Sequence, residues 1–349
     1  MKISPYSSTK ITVLSSLMIL LVVYVHSYYL EAEALPMAQL VQNIGRVLTA
    51  AAVPLFYAIS GYLFFRGVGR TAECGPKMKK RVRTLVAPFV IWNIIFILWY
   101  VLLHFTPGIS AYVNSDILSA IQWTHPLSTL QFLFIEPAGF HLWFLRDLIL
   151  FVAISPVLYL LLRRTSWLGL LILFFATGWI QRFWLTFFAL GGIIALHYSL
   201  EAVDRFFNAR LVVSCLLGYL VMGFIGVLML TEDTLWGEYL AQLAAFCGVA
   251  MIWKSYDYVY HFVVTRERIC ARIKVCAPLL GYSFFIYLFH EPTFNIIKKL
   301  GLKVLGIHEW SLILLYLINP LIMCGLAIIV AKAIQRYLPK TYSLLTGGR

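Results

Sequence analysis

Charge is what this chain has least of. Only 12% of its 349 residues are Asp, Glu, Lys or Arg, while 61% are hydrophobic and the mean hydropathy is +0.85. An average globular domain carries about 25% charged residues, so a water-soluble enzyme is excluded. No hydrophilic stretch is long enough to fold on its own, and no repeat recurs at a fixed period. Residues 1–349 therefore read as one integral membrane domain. The six cysteines, at positions 74, 215, 247, 270, 276 and 324, include no Cys-x-x-Cys and no Cys/His ligand spacing. Neither a zinc site nor a disulfide framework is indicated, and no metal is expected.

What the chain does have is long apolar runs. Crossing a hydrocarbon core about 30 Å thick takes about 20 residues of helix, and the runs 11–28, 50–65 and 84–104 meet or approach that length. The first is longer than the ~7–15 apolar residues of a signal peptide and is read as a span. The expected fold is all-α, a polytopic transmembrane helix bundle. Ten spans are placed near 11–30, 47–65, 84–104, 140–162, 167–181, 183–200, 210–230, 235–255, 277–292 and 310–332. The segment 127–135, bracketed by Pro126 and Pro137, is too short to span and reads as interfacial or re-entrant.

The net charge of +13 might suit a nucleic-acid binder, but the basic residues sit in short tracts between apolar runs. With both termini cytoplasmic, 22 of the 28 Lys and Arg fall on the cytoplasmic side, which is the positive-inside pattern. Nucleic acid is not an expected partner; membrane lipids are. Oligomeric state is not legible.

Within such a bundle an ionisable residue in a span is a functional candidate, because burying it is costly. His26 lies 16 residues beyond Lys10, about 24 Å along a helix, and a neutral imidazole serves as general base near neutral pH. The alternative is an interfacial histidine in an aromatic belt. His141, Arg146 and Asp147 crowd the start of another span beside Trp143. Adjacent residues do not face each other on a helix, so Arg146 and Asp147 are each expected to find a partner elsewhere; a solvated helix end is the alternative. His290 and Glu291 close the ninth span, three and four residues after Tyr287. All three histidines fall at a similar, outer depth. On the inner side, the tract from Lys77 to Arg83 is explained by topology alone, or else binds phosphate groups of a ligand or lipid.

Taken in order, five segments resemble the membrane acyltransferase family usually called acyltransferase-3. They are the helix ending in Val-Val-x-x-His-Ser at His26; Val53-Pro54-Leu55-Phe56-Tyr57-Ala58-Ile59-Ser60-Gly61-Tyr62-Leu63; Lys80-Arg81-Val82-Arg83-Thr84-Leu85-x-x-Pro88-Phe89-x-x-Trp92; His141-Leu142-Trp143-Phe144-Leu145-Arg146-Asp147; and Ser283-Phe284-Phe285-Ile286-Tyr287-Leu288-Phe289-His290-Glu291-Pro292. The resemblance covers nearly the whole chain. It implies a ten-span bundle in the bacterial inner membrane that moves an acyl group, usually acetyl from acetyl-CoA, onto a hydroxyl of a surface carbohydrate or its lipid-linked precursor. Because no hydrolase domain follows the tenth span, the nearest members would be the single-domain ones acting on enterobacterial common antigen or poly-N-acetylglucosamine.

On that reading Lys80, Arg81 and Arg83 hold the phosphates of coenzyme A, and His26 is the general base or acyl relay. His290, Arg146 or a backbone amide stabilises the oxyanion, and Asp147 or Glu291 orients an imidazole in the manner of a triad. His141 completes the catalytic set, and Arg146, Tyr287 and Trp143 contact substrate. Family members commonly carry an arginine ten or eleven residues before the first histidine, where this chain has Ser16 and Ser15. A role assigned to that arginine does not carry over: either Lys10 or Arg46 replaces the charge, or the site handles the acyl donor differently. The donor patch and the histidines lie at opposite ends of their spans, roughly 20–25 Å apart. The rival class is a transporter or flippase for a sugar or lipid-linked glycan, with the histidines lining a proton pathway.

Overall fold

A computed structural model of the protein describes residues 3–106, 135–179, 183–228, 234–266 and 277–348. All regular elements among them are helical. In chain order they are α1 (Pro5–Val25), α2 (Pro36–Thr49), α3 (Ala52–Phe65), α4 (Cys74–Arg81), a π-helical turn (Val82–Val86) and α5 (Ala87–His104). Then come α6 (Trp143–Ala153), α7 (Ser155–Thr165), α8 (Trp167–Trp179), α9 (Trp184–His197) and α10 (Leu200–Phe206). The last are α11 (Ala209–Leu228), α12 (Leu235–Val264), α13 (Ser283–Leu305), α14 (Glu309–Tyr337) and α15 (Pro339–Leu345). Short 3-10 turns, among them Phe140–Leu142, join several of these.

Among the described residues, six stretches are long and apolar enough to cross a membrane: Pro5–Val25, Pro36–Phe65, Thr71–His104, Ala209–Gly226, Leu235–Val264 and Glu309–Tyr337. Two bent pairs, α6 with α7 at 66° and α9 with α10 at 109°, raise the number to as many as eight. The first bend falls at Ile154, just before Ser155 and Pro156, and a proline there cannot donate back to the preceding turn. The two remaining expected spans differ from a plain crossing. α8 has only 13 residues, and α13 is broken at Glu291, whose backbone is extended (φ −104°, ψ 143°). Apart from Ile135, the re-entrant segment expected at 127–135 lies outside the described residues, as do Cys270 and Cys276.

The motif around Gly61 has a packing explanation. A Cβ at Gly61 would lie 2.0 Å from the Phe188 carbonyl oxygen, and one at Gly191 would lie 1.9 Å from that of Ala58. α3 and α9 therefore meet backbone to backbone, the close approach that small residues permit between membrane helices. Tyr57, Phe64, Phe65, Phe187 and Phe188 fill the space on either side of that contact.

Buried cations tie the elements together. Lys10 is wholly buried and sits 2.8 Å from Asp204 on α10 and 2.6 Å from Asp257 on α12. Its Nζ also stands 4.3 Å from the Trp253 ring centre, while Trp253 Nε1 donates to Asp204 at 2.7 Å. With two carboxylates on it, Lys10 is not the spare charge expected to stand in for the arginine absent at Ser15 and Ser16. Lys77 is likewise engaged: its Nζ donates to the Phe64 carbonyl at 2.6 Å and to that of Arg66, capping the end of α3.

The Gly191→Ala variant is expected to lose about 1–3 kcal/mol, the usual cost of overpacking, and to show a lower Tm in detergent. Gly226→Ala, where a Cβ meets nothing within 4 Å, is expected to match the wild type.

Candidate active site

Pro292 has no N–H, so the carbonyl of Leu288, four residues earlier on α13, receives no helical hydrogen bond from that position. The ring of His141 takes the place, with Nε2 3.2 Å from Leu288 O. One residue back, Tyr287 O lies 2.7 Å from His290 Nδ1. A carbonyl oxygen only accepts, so each of these ring nitrogens must carry the proton. The same constraint strips the proton from the other nitrogen of each neutral ring. His141 Nδ1 and His290 Nε2 are buried and have no partner among the described residues. Two bare lone pairs thus sit on rings whose centres are 4.6 Å apart.

His26 is the third ring. It caps the end of α1, with its ring centre 5.1 Å from that of His290. Three histidines from three separate elements therefore converge, where the sequence placed them only at a common depth. Lys298, on the far side of the α13 break, donates from Nζ to the carbonyls of His26 at 3.2 Å and of Tyr28. It satisfies orphan carbonyls at the end of α1, and its charge suits that helix terminus.

The approach to His141 is held as tightly. Asn93, fully buried on α5, accepts from Ala138 N–H at 2.8 Å and donates to Phe89 O at 2.8 Å. Gly139 follows, where a Cβ would lie 2.4 Å from the Phe96 ring. Tyr287 OH donates to the His141 carbonyl at 2.9 Å. The chain is pinned on both sides of the imidazole.

A cavity of about 390 Å³ opens beside this cluster, lined among others by His26, Tyr100, Phe140, Glu291, Asn295 and Lys298. Its volume falls within the usual range for small-ligand sites. Glu291 accepts from Asn295 Nδ2 at 2.8 Å. Aromatic rings and hydrogen-bonding groups thus line the same cavity. Among the described residues, no group of three or more His, Cys, Asp or Glu is arranged to hold a metal ion.

The remaining candidates sort clearly. Arg146 and Asp147, expected to seek separate partners, pair with each other: Arg146 Nε and Nη2 lie 2.8 and 2.7 Å from Asp147 Oδ1. The long guanidinium arm folds back onto its neighbour, and also donates to the Ile135 carbonyl. Among the described residues, neither Asp147 nor Glu291 hydrogen-bonds an imidazole; the orienting groups of His141 and His290 are backbone carbonyls. Arg146, Trp143 and Tyr287 do not line the cavity, and of the three clustered histidines His26 does while His141 and His290 lie buried behind it. Trp143 packs on Trp184 at 5.5 Å, and Tyr287 is buried behind the histidines. Arg46 lies 5.4 Å from the ring centre of Tyr28, a cavity residue, so of the two possible stand-in charges it is the nearer to the site. Arg81 is half-buried, while Lys80 and Arg83 are exposed. All three precede α5, whose far end brings Tyr100 to the cavity, and the separation of 17 positions from Arg83 to Tyr100 corresponds to about 25 Å of helix.

Asn93, Asn295 and Lys298 were not singled out from sequence. Asn93 gave a usable signal, being a polar residue inside an apolar span. Lys298 gave little, since it lies in a basic stretch that reads as an ordinary membrane flank.

Comparison with known proteins agrees with this architecture. The family model described as an acyltransferase domain, Acyl_transf_3, matches residues 10–332, so the chain belongs to that family of membrane acyltransferases. Among individual proteins, it is 25% identical over 316 residues to the succinoglycan biosynthesis protein ExoH of Rhizobium meliloti (strain 1021), covering 88% of this chain and 81% of the relative. No solved structure matches.

Asn93→Leu would leave the Ala138 N–H buried without an acceptor, at a cost of about 1–3 kcal/mol. It is expected to lower Tm and to cut acyltransferase activity at least tenfold; an unchanged specific activity would show that the His141 loop holds its place without Asn93.

Proposed function

We propose that the protein transfers an acetyl group from acetyl-CoA to a hydroxyl of a polysaccharide, or of its lipid-linked precursor, with His26 as general base. The reading is carried by one observation: three histidine rings from separate elements meet beside a cavity, and two of them are locked with a bare nitrogen. The polysaccharide acceptor draws support from the relative whose name assigns it to succinoglycan biosynthesis. In the bilayer the bundle is oriented with both termini and the basic tract of α4 in the cytosol of a bacterium, and ten crossings follow if α8 and the broken α13 are counted. Nothing in the geometry specifically favours transport of a glycan over its acylation.

The chemistry is an ordinary acyl transfer. The acceptor hydroxyl gives its proton to the His26 imidazole as its oxygen attacks the thioester carbonyl. A tetrahedral oxyanion forms, the carbon–sulfur bond breaks, and the coenzyme A thiolate leaves, taking up the proton that the imidazole had accepted. His290, 5.1 Å away between ring centres, holds a bare Nε2 that can take the proton from His26 in transit. The Lys298 ammonium lines the same cavity and favours negative charge there.

The donor enters from the cytosol, its phosphates met by Lys80, Arg81 and Arg83, and its thioester end extends along α5. Trp92, Phe96, Phe285 and Phe289 are packed on one another in that direction, so transfer requires these rings to part around the arm.

His26→Ala is expected to lower kcat by about 10²–10⁴-fold, the range for loss of a general base, with acetyl-CoA binding and protein level unchanged. The readout is radiolabelled acetyl transfer from acetyl-CoA to a panel of glycans by purified protein. Full activity in the variant overturns the role of His26. Glycan flux into vesicles without label transfer overturns the enzymatic reading.

A further inference from the structure

The C-terminal helix is built into the end of the bundle where the basic tract lies. α15 is fastened there by Trp92, whose Nε1 donates to the Leu345 carbonyl at 3.1 Å, and by Tyr342, stacked on Phe285 with centres 5.8 Å apart. Its end turns at Gly347, where φ is +68° and a Cβ would lie 2.8 Å from Thr84 Cα. Glycine is required there both for the left-handed backbone and for the approach to the π-helical turn. Between that turn and α15 lies a cavity of about 450 Å³, lined by Arg83, Ala87, Lys340, Ser343 and Gly347 among others.

Among the described residues, no acidic one lines it. Neither Arg83 nor Lys340 has an ion-pair or hydrogen-bond partner among the described residues, in contrast to Lys10, Lys77 and Lys298. Two like charges in one concave site repel, and an anion relieves that repulsion. The groups also converge: a methyl built on Gly348 would lie 3.8 Å from both Arg83 Nη2 and Ser343 Oγ. A guanidinium fork, an ammonium and a hydroxyl around one space are the donor set for phosphate oxygens. The volume exceeds what a lone phosphate needs and is of the size that takes a small organic ligand.

We propose that this cavity holds the phosphorylated nucleotide end of the acyl donor, with Lys340 and Ser343 of α15 gripping its phosphates together with Arg83. The proposal rests on the acyl-CoA reading above. It adds a second wall to the donor site, drawn from a segment more than 250 residues away in sequence.

Adenosine 3′,5′-bisphosphate, titrated calorimetrically into the purified full chain, tests the pocket without catalysis. Wild type is expected to bind it, Lys340→Ala to bind at least tenfold more weakly, Ser343→Ala about threefold more weakly, and Lys340→Arg to retain binding. In acetyl transfer, Lys340→Ala should raise KM for acetyl-CoA with kcat unchanged. Equal binding by wild type and Lys340→Ala overturns the proposal while leaving the acyl-CoA reading intact. Failure of the bisphosphate to bind, with thermal stabilisation by phosphatidylglycerol over phosphatidylcholine vesicles that Lys340→Ala abolishes, also overturns it, because the pocket then takes a lipid headgroup. If the bisphosphate binds through Lys340 but no acetyl is transferred from acetyl-CoA to any glycan, the pocket stands and the acyl-CoA reading falls.

Discussion

A carbonyl left without a donor inside a helix must find one, and at Leu288 the donor is the ring of His141. Proline at 292 makes the opening, since it removes the N–H that would otherwise close that turn. In a membrane interior an unsatisfied backbone group costs several kcal/mol, so the replacement bond is not optional. It fixes where His141 stands and which of its nitrogens carries hydrogen. The neighbouring carbonyl of Tyr287 does the same for His290, and Lys298, placed beyond the break, holds the chain end that presents His26. One interruption in α13 therefore organises all three rings.

The charges can be read by the same accounting. Lys10 is consumed by Asp204 and Asp257, Lys77 by the end of α3 and Lys298 by the end of α1. Each replaces water that the surrounding apolar helices exclude, and of the three Lys298 also lines the cavity beside the histidines. Arg83 and Lys340, both lining one cavity, have no such engagement among the described residues. The distinction separates cations that hold the bundle together from cations free to meet a phosphorylated molecule, and it is invisible in a net charge of +13.

The helical membrane architecture was legible in the sequence because apolar length is written locally, and the family could be recognised from its ordered motifs. His26, His141 and His290 stood out for the same reason, as ionisable residues in apolar runs. Their meeting was not legible, since it depends on how α1, the turn before α6 and α13 are packed. Arg146 and Asp147 were misread because the rule that neighbours do not face each other applies to Cβ directions, and a guanidinium at the end of a flexible arm escapes it. The triad-like carboxylate was sought in Asp147 or Glu291, whereas backbone carbonyls hold the rings, and these are chemically identical at every position. Only the proline marks where one is free. The count of crossings was read from hydropathy, which does not register the bends at Ile154 and Glu291.

The arrangement of hydrogen on the two inner rings tests the central claim most directly. Nitrogen-15 NMR of histidine-labelled protein in lipid, with His141→Gln and His290→Gln variants to assign the signals, reports which ring nitrogen is protonated in each neutral imidazole. The structure predicts Nε2–H at His141 and Nδ1–H at His290. The opposite tautomer at either ring would contradict the account, since the carbonyl facing that nitrogen would then have no hydrogen to accept.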